Sequence, residues 1–227
     1  MYIIGDVHGC YKTLVALIDK LPNKQNSKIC FVGDLIDRGN DSKSVVKFVR
    51  ENAYDCILGN HEFFMIESLP KILEDNSKIS TEKWTSQKAG GIATLNSYNT
   101  KEEILADLDY FKSLPLYIEY KNFKTVDGRY LVVSHSSVES KWQFRNYPKE
   151  SAEYEDFINT ILFSRYKKFD NKEIFNVYGH TPTSEVIIND FKAQIDLGCC
   201  YKDIEASASL CALEFPSLNI IIQENVD

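Results

Sequence analysis

No two cysteines in this chain stand at C-x-x-C spacing. The six are scattered at Cys10, Cys30, Cys56, Cys199, Cys200 and Cys211, which argues against a zinc ribbon and a redox dithiol. A basic excess is also missing. Asp and Glu total 33 against 26 Lys and Arg, for a net charge of −7, whereas duplex nucleic-acid binding draws much of its affinity from a basic stripe. No apolar run approaches the ~20 residues needed to span a bilayer. Residues 218–222, with Asn219 inside, form one of the longest. Met1 leads directly into Tyr2-Ile3-Ile4, without the basic and apolar regions of a secretory signal. Glycine and proline number only 10 and 6, too few for a collagen-like repeat. The expectation is a cytoplasmic protein with reduced thiols and neither a nucleic-acid nor a membrane partner.

What is present is the composition of a folded domain: 44% hydrophobic and 26% charged residues in a chain of 227. A core of this size buries roughly 70% of the unfolded surface and needs no disulfide staples. No internal repeat, low-complexity tract or flexible linker interrupts it, so a single domain over residues 1–227 is expected.

Short apolar runs ending in a turn residue recur through the first third. Tyr2-Ile3-Ile4 ends at Gly5, Ile29-Cys30-Phe31-Val32 at Gly33, and Cys56-Ile57-Leu58 at Gly59. Such runs read as buried parallel strands. Leu14, Leu17, Ile18 and Leu21 form a helical stripe stopped by Pro22. A second helix, residues 42–52, has Asp41 or Ser42 available as N-cap. Residues 102–114 read as a helix, residues 83–98 as mostly loop, and residues 153–165 as another helix. Asp127-Gly128 between two β-rich runs predicts a type I′ hairpin. Five further β-runs follow residue 173, and the C-terminal ones are expected to feed a second sheet. The predicted fold class is α/β: a two-sheet β-sandwich flanked by helices.

Only four histidines occur, His8, His61, His135 and His180. Each lies just beyond an apolar run, beside Gly, Ser or Asn. The motifs are Gly5-Asp6-Val7-His8-Gly9, Gly33-Asp34-Leu35-Ile36-Asp37-Arg38-Gly39, Gly59-Asn60-His61-Glu62 and Gly179-His180-Thr181-Pro182. In open α/β sheets ligands bind beyond the carboxyl ends of the strands, so these residues are expected to converge at one rim. Gathering so many polar and ionisable groups without a metal or substrate is costly.

The ordered set G-D-V-H-G, G-D-L-I-D-R-G and G-N-H-E, with a later strand-end histidine and G-H-T-P, resembles the phosphoprotein phosphatase family of calcineurin-like metallophosphoesterases. The similarity is strongest to the small bacterial and phage branch that includes the phage lambda phosphatase. Ile195-Asp196-Leu197-Gly198 resembles a late segment of the same family. The resemblance implies a metallophosphoesterase fold and two metal ions, with Mn²⁺ put first and Fe or Zn²⁺ as alternatives. It implies Asp6 and His8 at the first metal, Asp34 bridging both, and Asn60, His135 and His180 at the second. The donor set suits this on its own terms, since carboxylates neutralise dications and imidazoles favour transition metals over calcium or magnesium. The resemblance further implies His61 as general acid, Asp37 as its carboxylate partner, and Arg38 and Arg165 as phosphate clamps. Arg165 rests on the likeness of Leu162-Phe163-Ser164-Arg165 to the family's L-W-x-R.

The implied reaction is hydrolysis of a phosphate monoester by a metal-bridging hydroxide. The expected substrate is phosphoserine, phosphothreonine or phosphotyrosine in proteins. The alternative is a dinucleoside polyphosphate such as diadenosine tetraphosphate, or another small phosphoester, and a remote one is an inactive binding scaffold. Substrate choice is expected to lie in residues 63–99 and 136–151, where Trp84, Tyr98, Trp142 and Phe144 are candidates to stack a base or line a groove. Gly90-Gly91 with Thr94-Leu95 and Ser97-Tyr98 resembles a segment of several bacterial members. Two departures stand out. Ser136-Ser137 follows His135 where the family has smaller or acidic residues, which bears on how that loop lies against the metals and substrate. Phe163 stands where the family has Trp.

Overall fold

The computed structural model describes residues 1–165, 169–201 and 208–227. Two five-stranded sheets pack face to face. In the first, β1 (Tyr2–Ile4), β2 (Ile29–Phe31) and β3 (Asp55–Cys56) run parallel. The second contains β4 (Tyr117–Lys124), β5 (Tyr130–Ser134), β6 (Ile174–Tyr178), β7 (Ile187–Ile188) and β8 (Lys192–Gln194) in the order β4-β5-β6-β8-β7. Its centre, β5-β6-β8, is parallel. The last strands, β9 (Ser209–Glu214) and β10 (Ile220–Glu224), complete the first sheet in the order β10-β9-β1-β2-β3.

Those two strands return to the first sheet, not the second as the sequence suggested. The cause is long-range pairing: β9 lies antiparallel to β1, with Ile3 opposite Leu213. Five of its six residues are buried. An apolar strand with two buried faces fits either sheet, and only the partner strand decides.

Burial on both faces explains the near-continuous apolar runs. Ile3, Cys30, Cys211 and Leu213 face inward against Leu131, Val133, Phe175 and Val177 of the second sheet. The alternate residues Tyr2, Ile4, Phe31 and Ala212 face outward against helices α1 (Tyr11–Lys20) and α2 (Ser42–Glu51). Each fully buried Leu, Ile or Phe contributes about 1.5–3 kcal/mol. Helix α3 (Asn60–Glu74) begins just beyond β3, followed by α4 (Gly91–Ser97) and α5 (Lys101–Ser113). Helix α6 (Ala152–Phe163) covers the outer face of the second sheet through Phe157, Ile161 and Leu162. The architecture is helix, sheet, sheet, helix, as expected.

The Asp41 side chain caps α2 by accepting from the Ser44 N–H at 3.2 Å. The β4–β5 hairpin is present, but only Gly128 of its turn has positive φ, at +92°; Asp127 does not. A type I′ turn needs both central residues there, so that turn assignment is corrected. Residues 83–98 are less loop-like than expected, since α4 occupies their second half. All six cysteines are free. Among the described residues no helix is long and apolar enough to cross a membrane.

Candidate metal centre and active site

The parallel strands deliver the motif residues to one rim. Asp6 and His8 follow β1, Asp34 follows β2, Asn60 and His61 open α3 just beyond β3, His135 follows β5, and His180 follows β6. His8, Asp34 and His180 all adopt left-handed backbone conformations, with φ of 47°, 49° and 69°. Non-glycine residues hold such conformations only where the surroundings enforce them, and they cluster at functional sites. Gly179 has no alternative. A Cβ there would collide with Asp6 Oδ1, and the carboxylate of Asp6 accepts the His180 N–H at 3.0 Å.

Two sets of ligating atoms share Asp34. One is His8, Asp34 and His61; the other is Asp34, His135 and His180, and within each set the atoms lie within 4.8 Å of one another. Asp34 Oδ2 is 3.5 Å from His8 Nε2, and Oδ1 is 3.5 Å from His135 Nε2. His8 Nδ1 donates to the Ile36 carbonyl and His135 Nδ1 to the Val32 carbonyl, both at 2.8 Å. Those bonds fix the tautomer and turn each Nε2 lone pair into the site, as in metal-ligating histidines generally.

The two histidines of the second set, together with Asn60, show why a cation fits. Asn60 Oδ1, His135 Nε2 and His180 Nδ1 stand 2.7, 2.9 and 3.1 Å from each other. With His135 Nε2 carrying a lone pair, at most one proton serves these three atoms. His180 Nε2 is buried without a hydrogen-bond partner among the described residues. Ligands about 2.1 Å from one ion and at right angles are about 3.0 Å apart, which matches the spacing.

Electrostatics points the same way. Burial pushes the Asp6 carboxyl well up, and Asp196 and Asp34 push it further. Burial raises Asp196 to about 7. Burial also lowers the imidazoles of His8, His135 and His180, the last to about 3. Asp34 is driven the other way: burial opposes ionisation, but the neighbouring His135, His61 and His8 outweigh it. Of the imidazoles around Asp34 only His61 is favoured as a cation; His8, His135 and His180 are held neutral. A cation supplies what they do not, and neutral imidazole is the ligating form.

His61 differs from the other histidines. Burial lowers its affinity for a proton, but Asp34 and then Asp37 raise it above the ordinary histidine value. His61 Nδ1 donates to Asp37 Oδ2 at 2.6 Å. The next residue, Arg38, reaches His8 Nε2 with Nη1 at 2.7 Å and stacks on the Tyr201 ring.

These groups open into a cleft of about 230 Å³ lined by Asp34, Asn60, His61 and His180, with Arg38, Lys83, Lys88 and Arg165 around it. Arg165 is exposed at its edge. A larger groove of about 590 Å³, lined by Lys28, Phe48 and Asp55, lies at the opposite ends of the strands and holds none of the four histidines.

Several expectations change. Trp84 and Trp142 are fully buried, Tyr98 donates to Asp107, and Phe144 packs on Tyr147. None of the four lines the cleft. Its aromatic wall is instead Phe64 stacked on Phe163, centroids 5.6 Å apart. The cleft draws Phe64, Lys83, Ser86, Lys88 and Ala89 from residues 63–99 and nothing from 136–151. Ser136 turns toward α6, taking the Ile161 carbonyl with its N–H and the Ser164 carbonyl with its hydroxyl. The loop after His135 is thereby tied to the residue before Arg165. Sequence reasoning missed Lys83, Lys88 and the links from Trp84 and Thr94 to Asp37, and it singled out the segment of Asp196 without giving that residue a role. Lysines carry no local signal, and the Gly90-Gly91 segment was visible without a role.

Fold and site together define a metal-dependent phosphoester hydrolase. The chain belongs to the calcineurin-like phosphoesterase family, whose sequence model matches residues 1–221. It is 26% identical over 237 residues to the bis(5′-nucleosyl)-tetraphosphatase PrpE (asymmetrical) of Oceanobacillus iheyensis, covering 96% of this chain and 90% of that protein. It is also 26% identical over 186 residues to the symmetrical bis(5′-nucleosyl)-tetraphosphatase of Proteus mirabilis, covering 81% of this chain and 58% of the relative. Among solved structures, a candidate diadenosine tetraphosphatase superposes with a TM-score of 0.63 at 22% identity, over 97% of this chain and 91% of the other. A protein serine/threonine phosphatase of Saccharomyces cerevisiae superposes with a TM-score of 0.61 at 15% identity, over 100% and 80%. These two likenesses concern the fold.

Proposed function

We propose that the chain hydrolyses dinucleoside polyphosphates of the diadenosine tetraphosphate kind, with Asp6, His8, Asp34, Asn60, His135 and His180 holding two divalent metal ions. The observation that carries this substrate is the surplus of positive charge around the cleft. A phosphate monoester brings about −1.5 to −2 charges at pH 7, which Arg38 and Arg165 match. Lys83 and Lys88 stand beside them, and neither has a carboxylate partner within ion-pairing reach among the described residues. Four cations converge in a chain of net charge −7, which favours a ligand with charge on successive phosphates. The names of the relatives support the same class. The phosphoprotein reading, and with it the placement beside the phage lambda phosphatase, rests on the shared motifs alone.

When bound, paired metal ions activate water and neutralise charge on the phosphoryl oxygens. The chain's own residues do the rest. Arg38 and Arg165 grip phosphoryl oxygens, where a guanidinium binds bidentately. His61, oriented by Asp37, gives its proton to the departing oxygen. Residues 63–99 select the substrate through Phe64, Lys83 and Lys88 in one domain spanning residues 1–227.

The test compares kcat/KM for diadenosine tetraphosphate and a phosphoserine peptide with Mn²⁺ present. At least a tenfold preference for the dinucleotide, with nucleotide products resolved by chromatography, is expected. A preference for the peptide would overturn the substrate assignment while leaving the hydrolase intact.

A further inference from the structure

Asp37 and Arg38 are consecutive non-glycine residues in the left-handed region, with φ of 75° and 69°. Such backbone persists only when surrounding contacts over-determine it. Many of those contacts come from residues 84–94, outside every metal-binding motif. Thr94 Oγ1 donates to Asp37 Oδ1 at 2.6 Å and accepts the Asp37 N–H at 2.9 Å. Trp84 Nε1 donates to both Asp37 carboxylate oxygens, at 2.9 and 3.0 Å. The Gly90 carbonyl accepts the Arg38 N–H at 3.3 Å.

The two glycines make that approach possible. Gly90 has φ +84°, and a Cβ there would lie 2.8–3.1 Å from Arg38 Cγ, N and Cα. A Cβ on Gly91 would meet the Trp84 carbonyl and indole at 2.6–2.7 Å. The segment is anchored from behind as well. Ser42 Oγ lies 3.0 Å from Thr94 Oγ1, and Ser97 Oγ accepts the Lys43 N–H at 3.3 Å, fastening α4 to the start of α2.

We infer that residues 84–94 form a positioning strap: Trp84 and Thr94 orient Asp37, and through it the His61 imidazole, while Gly90 seats Arg38 for the phosphate. Trp84, Gly90 and Thr94 are positioning residues, since none of them lines the cleft. Asp37 is saturated with donors by this arrangement, so its second oxygen has one orientation in which to receive His61 Nδ1. The strap accounts for the Gly90-Gly91 and Thr94 pattern, which the metal site leaves unexplained. This inference rests on His61 as the proton donor, a part of the proposed function, and the experiment separates the two.

The full-length protein loaded with Mn²⁺ is assayed on phenyl phosphate, whose leaving group needs a proton, and on para-nitrophenyl phosphate, whose leaving group needs little help. Thr94→Val is expected to lower kcat about tenfold on phenyl phosphate and less than about threefold on para-nitrophenyl phosphate, a fraction of the ~10²–10⁴ that a general acid supplies. KM and metal content stay unchanged, and Thr94→Ser restores the wild-type ratio. Trp84→Phe carries the same expectation and serves if Thr94→Val does not fold. Gly90→Ala, displacing Arg38, raises KM on both substrates more than it lowers kcat. His61→Asn is the reference. If it shows no leaving-group dependence, the proton-donor assignment fails and the strap's role with it. If His61→Asn shows it but Thr94→Val and Trp84→Phe lower both substrates equally or not at all, the strap inference alone is overturned.

Discussion

His61 Nδ1 donates to Asp37 Oδ2 over 2.6 Å, and both side chains are buried. The bond engages Nδ1, so the proton that the imidazolium can give up is the one on Nε2, which lies on the side of Asp34, 3.9 Å from its Oδ2. One carboxylate thus orients the ring, while the other lies on the side of its free nitrogen.

That arrangement separates two substitutions. His61→Asn removes the transferable proton and is expected to lower kcat by ~10²–10⁴. Asp37→Asn keeps the ring but replaces an oxygen that accepts hydrogen bonds with an amide that donates. With Trp84, Thr94 and His61 all donating to this carboxylate, the amide faces a donor whichever way it turns. About a 10- to 100-fold loss of kcat is expected, with KM within about threefold, because orientation is lost and the acid is not. Steady-state kinetics on phenyl phosphate with metal content measured alongside checks both. An Asp37→Asn enzyme of wild-type kcat would remove the carboxylate from the mechanism.

Glu62 concerns stability, not chemistry. Its carboxylate accepts four backbone N–H groups, from Asp34 at 2.9 Å, Leu35 at 2.8 Å, Ile36 at 3.3 Å and Gly59 at 3.0 Å. It ties the β2 exit loop to the start of α3; burial and Asp34 push this acid up to about 8, against the pull of His61 and the backbone N–H donors. Hydrogen bonds to a charged group are worth about 1.5–3 kcal/mol each. Glu62→Gln turns an NH₂ toward N–H groups that now have an oxygen to donate to, so a loss of about 2–4 kcal/mol is expected. A fall in the urea midpoint at constant slope measures it. A loss below about 1 kcal/mol would show that the loop holds itself.

How much of this was legible beforehand follows from the range of each interaction. The strands ending at Ile4 and Phe31, and the convergence of Asp6, Asp34, Asn60 and His180, follow from local apolar runs and the rule that ligands sit at strand carboxyl ends. The pairing of β9 with β1 was not legible, because Leu210 and Leu213 fit any sheet with two buried faces. Trp84 read as a candidate base-stacker because a sequence shows an indole but not its partner. Only the folded chain shows that the partner is Asp37, 47 positions away. Lys83 and Lys88 were invisible for the opposite reason: exposed lysines are common, and their significance lies wholly in what stands across the cleft.

Metal binding carries a thermodynamic signature independent of catalysis. Asp6, Asp34 and Asp196 are each 2% exposed and repel one another. A cation that binds only the folded chain at 100 times its Kd adds about 2.7 kcal/mol. For a chain of this size that raises the melting temperature by about 5–10 °C, at 2–4 °C per kcal/mol. After chelation, Mn²⁺ is expected to restore the rise and Ca²⁺ to restore little of it, given the imidazole ligands. Asp34 belongs to both ligand sets, so Asp34→Asn is expected to abolish most of the rise, whereas His180→Ala leaves one of two equivalents bound. Calorimetry with metal analysis decides. Equal stabilisation of the wild type and Asp34→Asn would show that the ion binds elsewhere.

Lys83 tests the substrate directly. Its ammonium lies 4.2 Å above the Phe64 ring and 5.8 Å from Phe163, at the wall of the cleft. An exposed cation–π contact is worth only about 0.5–1 kcal/mol, so an arriving phosphate can take the ammonium away from the ring at small cost. The uncovered face of Phe64 is then free to meet an apolar or aromatic part of the ligand. Lys83→Met keeps the length and the apolar stem against the rings but removes the charge. For diadenosine tetraphosphate KM is expected to rise about 3- to 10-fold, since each tenfold corresponds to about 1.4 kcal/mol, with kcat within about twofold. For para-nitrophenyl phosphate, whose single phosphoryl group is assigned to Arg38 and Arg165 in the proposed function, neither constant is expected to move. An equal rise on both substrates would place Lys83 at the attacked phosphate, and no rise on either would leave the polyphosphate chain to be held by other residues.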